Sequence, residues 1–170
     1  KQRIIDWITE AEEAGATVVL DGRDIKVEGY DNGFFLGPTI LDDVPLECKA
    51  YCEEVFGPVL TIVHADTYEE AIELVNSSPF GNGTAIFTND GGVARRFTLD
   101  VEAGMVGVNV PIPTPVAYYS FGGWKASLIG DTHIHGPEGV KFYTRLKAIT
   151  SRWPSESGLY AATMSFQREE

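Results

Sequence analysis

The sequence predicts an α/β fold, a three-layer αβα domain with a mostly parallel sheet covered by helices on both faces. Three observations carry that expectation. Between Val59 and Val110, β-rich runs alternate with amphipathic helical runs in the order β-α-β-α-β. The helical runs between those strands are long enough to be crossovers, which parallel strands require and hairpins do not. The 170 residues are 44% hydrophobic, enough to bury the core of an ordinary single domain.

Each element follows from local pattern. Ile4, Ile5, Ile8 and Ala11 recur at helical spacing, and Gly15 stands as a C-terminal stop. This helical pattern starts at Lys1 with no capping residue, so the chain is expected to be a fragment, a domain truncated at its N-terminal side. "TVVLDG" is a short strand, followed by a polar loop through Asn32 and Gly33. "FFLGPTILDDV" is a strand or hairpin arm in which Pro38 suits an edge. "VLTIVHAD" is a strand. The helix behind it is announced by a capping box, Thr67 with Glu70, and has Tyr68, Ala71, Ile72 and Val75 on one face. "GTAIFTND" is the next strand, and "GGVARRFTLDVEAG" the next helix. That helix turns Val93, Ala94, Phe97 and Val101 inward and is expected to end at Gly104. "MVGVNV" completes the alternation. The proline-studded "PIPTPVAYYSFGGWKASLIGD" cannot be a central strand and is an ordered loop leaving a strand's carboxyl end, where open α/β sheets place ligands. "HGPEGVKFYTR" is a short helix, "LKAITSRW" a last strand, and the residues beyond Pro154 a polar tail.

Charge and composition narrow the function. Thirteen basic and 25 acidic residues leave a net charge of −12, which repels nucleic-acid backbones and anionic membranes, so neither is expected as a partner. No stretch approaches the ~18 apolar residues of a membrane span. The charged opening does not resemble a signal peptide. Two cysteines, Cys48 and Cys52, build no disulfide scaffold and point to a reducing, intracellular setting.

Few residues carry recognisable chemistry. Cys48 and Cys52 have neither the spacing of a redox pair nor further soft ligands for a metal, and are expected as packing or surface cysteines. His133 and His135 would share one face of a strand, but no third ligand accompanies them; with His64 alone at a strand end, all three are expected to be hydrogen-bonding histidines. No glycine-rich stretch has the Walker spacing or the dinucleotide fingerprint. "CEEVFGPVL" remains. Gly57 permits a sharp turn and Pro58 fixes φ as the chain enters a strand. In extended chain only one of Glu53 and Glu54 shares a side with Phe56, and spacing selects Glu54. The stretch is either a structural turn with a solvated acidic pair, or the rim of a cleft where a carboxylate and an aromatic face grip a ribose and a flat ring.

"EEVFGPVL" with "DTYEEAIELVNSSPFGNGTAIFTND" resembles the catalytic domain of the NAD-dependent aldehyde dehydrogenases. "GMVGVNVPIPTPVAYYSFGGWKASLIGDTHIHGPEGVKFYTRLKAITSRW" is similar to one branch, the CoA-acylating methylmalonate-semialdehyde dehydrogenases, and the resemblance runs from Lys1 to about Trp153. It implies an aldehyde dehydrogenase-type catalytic domain, with NAD as cofactor, coenzyme A as co-substrate and a small aldehyde as substrate. It further implies that Glu54 holds the nicotinamide ribose hydroxyls and that Phe56 packs near the nicotinamide ring. Phe121, in a Phe-Gly-Gly turn with Gly122 and Gly123, is implied at the aldehyde pocket, although Ser120 stands where many family members have proline. Residues 1–146 would be the C-terminal part of the catalytic domain. Residues 147–170 would be a tail and a strand that adds to a neighbouring subunit's sheet in a homo-oligomer. The location implied is the cytoplasm in a bacterium or the mitochondrial matrix in a eukaryote. Neither cysteine matches the family's nucleophile, so no catalytic residue and no metal ligand is expected in this chain, which alone would be inactive.

Overall fold

The computed structural model describes residues 1–113, 116–151 and 153. In chain order the elements are α1 (Gln2–Glu13), β1 (Thr17–Leu20), β2 (Thr39–Asp42), α2 (Lys49–Cys52), β3 (Val59–Thr61) and α3 (Tyr68–Ser77). They continue with β4 (Phe80–Gly81), β5 (Gly83–Ile86), α4 (Gly91–Asp100), β6 (Met105–Val108), β7 (Trp124–Lys125) and α5 (Gly136–Tyr143).

Helix α1 ends as its glycine predicts. Gly15 takes φ 112°, its N–H donates to Glu12 O, and the Ala16 N–H reaches back to Ala11 O at 2.9 Å, which together close the last turn. Ile4, Ile8 and Ala11 are buried on one side and pack against Leu41, Val44, Cys48 and Ala50, the first core of the molecule. Helix α3 starts at its capping box, where Thr67 Oγ1 accepts from the Glu70 N–H at 3.1 Å. The returning Glu70 carboxylate accepts from the Asp66 N–H at 2.9 Å, one residue earlier than the motif prescribes. Helix α4 is capped by Asp90, whose Oδ1 accepts from the N–H groups of Gly92 and Val93 at 2.7 and 3.0 Å. Phe97, Val101 and Ala103 form a second core with Tyr68, Ile72, Ile86 and Val106 around them.

The α/β class holds, but the sheet is mixed and divided. β2 and β3 pair in parallel, with β1 antiparallel on the other side of β2; β5 and β6 pair in parallel through the α4 crossover; β4 and β7 form a small antiparallel pair. The expected parallel continuity from β3 through α3 to β5 is not found. Residues of β3 (Thr61), α3 (Leu74, Val75) and β5 (Gly83, Thr84) line a groove of about 680 Å³ together with Val63.

Two further differences from expectation are found. α4 ends at Asp100 rather than Gly104, because Val101 turns extended (ψ 134°) to enter the second core. α2, inside "CKAYC", was not expected. Residues 146–151 of "LKAITSRW" pair with no strand among the described residues of this chain, and Leu146 and Ile149 stand fully or largely exposed. Arg152 and the tail from residue 154 lie outside the described residues.

Candidate functional site

The segment between α2 and β3 is built by its neighbours. α2 stops when Glu53 adopts extended backbone, φ −113° and ψ 156°. Arg3, at the start of α1, donates from its guanidinium to Val55 O at 3.0 Å while its cation lies 4.6 Å from the centre of the Trp7 ring. At the far end Thr39 N–H donates to Pro58 O at 2.8 Å, docking the turn on β2, and the Val59 N–H closes a tight turn on Gly57 O.

The positive φ in this turn belongs to Phe56, not to Gly57. Phe56 sits at φ 49° with 78% of its surface exposed. Left-handed backbone is unusual for a bulky residue and clusters at ligand clamps. Gly57 packs against α1: a Cβ there would come 2.5 Å from Ile4 Cδ1, so a larger residue would make that side chain shift. Glu53 and Glu54 both line, with Phe56, an open groove of about 370 Å³ bounded by Ala50, Tyr51, Val55, Gly57, Val59 and Thr61. Two exposed carboxylates offer acceptors suited to the hydroxyls of a sugar, and the aromatic face beside them suits a flat ring.

Phe121 lines a second concavity of about 370 Å³, whose other walls are Met105, Val106, Gly107, Val108, Val110 and Pro113. Thus Glu54 and Phe56 share one groove, while Phe121 lies in another at the carboxyl end of β6. The Phe-Gly-Gly turn is seated by backbone contact, since a Cβ at Gly104 would overlap Gly122 O. Lys125 anchors the turn's far side: its ammonium donates to Asn76 O at 2.6 Å and Ser78 O at 3.2 Å and pairs with Glu102 at 3.0 Å.

The cysteines are not reactive partners. Cys48 is buried in the first core, and burial, with the Glu10 and Glu47 carboxylates nearby, pushes its thiol up. Cys52 is exposed and donates to Leu46 O at 2.8 Å. His64 is not alone. Its Nε2 lies 2.7 Å from Asp42 Oδ1 and 3.6 Å from Asp43 Oδ1, an exposed cluster at the ends of β2 and β3 whose ligand atoms lie within 4.8 Å of one another. The hydrogen bond with Asp42, then the charge of both aspartates, holds the imidazole above its ordinary value, while the same bond lowers Asp42. His133 is hydrogen-bonded as expected, to Ser120 Oγ at 3.2 Å. His135 instead stacks on Phe121, ring centres 4.4 Å apart, and its buried Nδ1 has no hydrogen-bond partner among the described residues. The two do not sit on a strand. Arg3 and Lys125 were not singled out in the sequence, because both act on backbone carbonyls brought near only by the fold.

A chain with parallel strand pairs, a crossover helix and clefts beside the strand ends has an α/β fold. The Aldehyde dehydrogenase family model matches residues 1–149, and the chain belongs to that family. It is 52% identical over 164 residues to the malonate-semialdehyde dehydrogenase of Pseudomonas aeruginosa, covering 96% of this chain and 33% of that protein. It is 51% identical over 156 residues to the mitochondrial acylating methylmalonate-semialdehyde/malonate-semialdehyde dehydrogenase of Bos taurus, covering 92% of this chain and 29% of that one. Its structure superposes with a TM-score of 0.89 and 53% identity on a candidate methylmalonate-semialdehyde dehydrogenase of Sinorhizobium meliloti solved with NAD, covering 92% of this chain and 32% of the other. The chain therefore spans about a third of the length of the relatives it matches. No described helix is long and apolar enough to cross a membrane.

Proposed function

We propose that the protein to which this chain belongs oxidises methylmalonate semialdehyde or malonate semialdehyde with NAD and coenzyme A. The products are propionyl-CoA or acetyl-CoA, with carbon dioxide and NADH. The nucleophile is a cysteine outside this chain, and its thioester is resolved by coenzyme A. The chain contributes one wall of the active site. The observation that carries this reading is the groove at residues 50–61, with Glu54 and a left-handed, exposed Phe56 on its rim, in a chain about half identical to semialdehyde dehydrogenases.

NAD, when bound, supplies the acceptor for the hydride leaving the aldehyde carbon. The chain's own residues do the positioning. The Glu54 carboxylate accepts hydrogen bonds from two ribose hydroxyls, and charge-assisted bonds of this kind fix orientation as well as affinity. The Phe56 ring, held outward by its backbone, packs beside the nicotinamide. Arg3 keeps the loop at its height by holding Val55 O. Phe121 closes the apolar side of the pocket that receives the aldehyde. Residues 1–146 are the C-terminal part of the catalytic domain. The segment from residue 147 adds as a strand to a neighbouring subunit in a homo-oligomer. The protein works in the cytoplasm of a bacterium or the mitochondrial matrix of a eukaryote.

The test is product analysis on the full-length enzyme supplied with malonate semialdehyde and NAD, with and without coenzyme A. Acetyl-CoA formed in step with NADH supports the reading. Free acid formed at the same rate whether or not coenzyme A is present assigns the enzyme to a hydrolytic branch.

A further inference from the structure

The turn that carries Phe121 is held by a polar network that neither the family match nor the motif accounts for. Ser120 Oγ lies 2.9 Å from Glu138 Oε2 and 3.2 Å from His133 Nδ1. A serine hydroxyl has one proton to give and two lone pairs to receive with. The carboxylate takes that proton, so both contacts are hydrogen bonds only if His133 donates from Nδ1 to the hydroxyl. The order is therefore His133 to Ser120 to Glu138, with Ser120 at its centre.

This order joins two parts of the chain. Ser120 precedes Phe121, and Glu138 lies in the first turn of α5. The Gly136 N–H donates to Ala117 O at 3.2 Å, so the start of α5 is tied to the same loop by its backbone. His133 also packs directly on the turn, since a Cβ at Gly122 would meet its Cδ2 at 2.7 Å. His135 then supports the Phe121 ring itself, stacked at 25° between ring planes. Phe121 is thus fixed by residues 133–138, while its free side forms part of the apolar groove beside β6.

We propose that Ser120, His133 and Glu138 are positioning residues that act through one shared hydroxyl to set Phe121 against the aldehyde, and so govern aldehyde fit rather than cofactor binding. This role rests on the reading of Phe121 as substrate-facing. The hydroxyl is unavailable to a proline at position 120, so the network belongs to chains with serine there.

Full-length enzyme carrying Ser120→Ala is expected to show KM for malonate semialdehyde raised about tenfold, with KM for NAD unchanged and kcat within about twofold. His133→Ala should match it, and the double variant should be no worse than Ser120→Ala alone, because both act through one group. His133→Asn, which keeps a donor near the Nδ1 position, and Ser120→Thr, which keeps the hydroxyl, should retain most of the wild-type KM. Hydrogen exchange of the amides at 117–123 should quicken in Ser120→Ala while residues 83–108 stay unchanged. Equal rises in both KM values, additive single effects, or an unchanged aldehyde KM would overturn the proposal. If the wild-type enzyme reduces no NAD with any semialdehyde, the proposed reaction falls instead. Exchange at 117–123 then decides the network alone, and no change in Ser120→Ala refutes it.

Discussion

Phe56 carries the backbone conformation usually left to glycine, and the chain accepts it because Arg3 and Thr39 hold both flanks of its turn. The motif drew attention to these residues and hid their geometry. A spacing rule for extended chain cannot see that Phe56 is left-handed. His64 was similarly opaque, because its partners Asp42 and Asp43 come near only when β2 and β3 pair in parallel. Its consequence can be tested. His64 is raised in the folded chain, so its contribution to stability is full below the ordinary imidazole value of about 6.5 and fades as pH rises through the folded value. Asp42 is lowered, so its contribution is present above its unfolded value near 4 and fades as pH falls through the folded one. The pair is strongest between those limits, roughly pH 4 to 6.5. His64 is exposed and Asp42 only half-buried, so the stability effect is small and the titration itself is the better readout. Asp42→Asn should shift the His64 midpoint, followed by NMR, down towards the ordinary value; an unmoved midpoint rules the pair out. Cys52 should react with an alkylating reagent well before Cys48, whose thiol is buried and pushed up. Mass spectrometry of the labelled peptides checks the order, and equal rates would contradict the placement of Cys48.

Helices were the most legible elements. The Schellman close at Gly15, the Thr67 cap and the apolar faces of α1 and α4 all appear as local pattern requires. Thr67→Ala and Asp90→Ala should each cost about 1 kcal/mol in denaturant unfolding, the usual loss when an N-cap oxygen is removed. The existence of β1, β2, β3, β5 and β6 was legible too, whereas the short β4 and β7 and the strand pairing were not. Each strand has only two to four residues, too few for the pattern to say which edge it meets. Gly104 marks a different kind of limit. Near a helix end it looks like a stop signal, yet its work is to let Gly122 O approach. Gly104→Ala should destabilise by about 3 kcal/mol, in the range of overpacking, and displace the Phe121 turn. A melting temperature unchanged from wild type would refute that contact.

At the scale of the whole molecule, the described residues leave apolar surface open: the groove lined by Thr61, Val63, Gly83 and Thr84 and the side chains of Leu146, Ile149 and Trp153, surfaces suited to cover by further polypeptide. If residues from 147 onward join subunits, as proposed, full-length enzyme ending at Leu146 should sediment as a smaller species than the intact enzyme. An unchanged sedimentation coefficient would remove that role. The wall built by α1, α2 and β3 is proposed to aim the cofactor through Glu54, and single-turnover NADH formation in full-length Glu54→Gln measures that role most directly. A burst slowed by about tenfold or more is expected, with semialdehyde capture less affected, as when an orienting bond is weakened. A burst as fast as that of the wild type would contradict it.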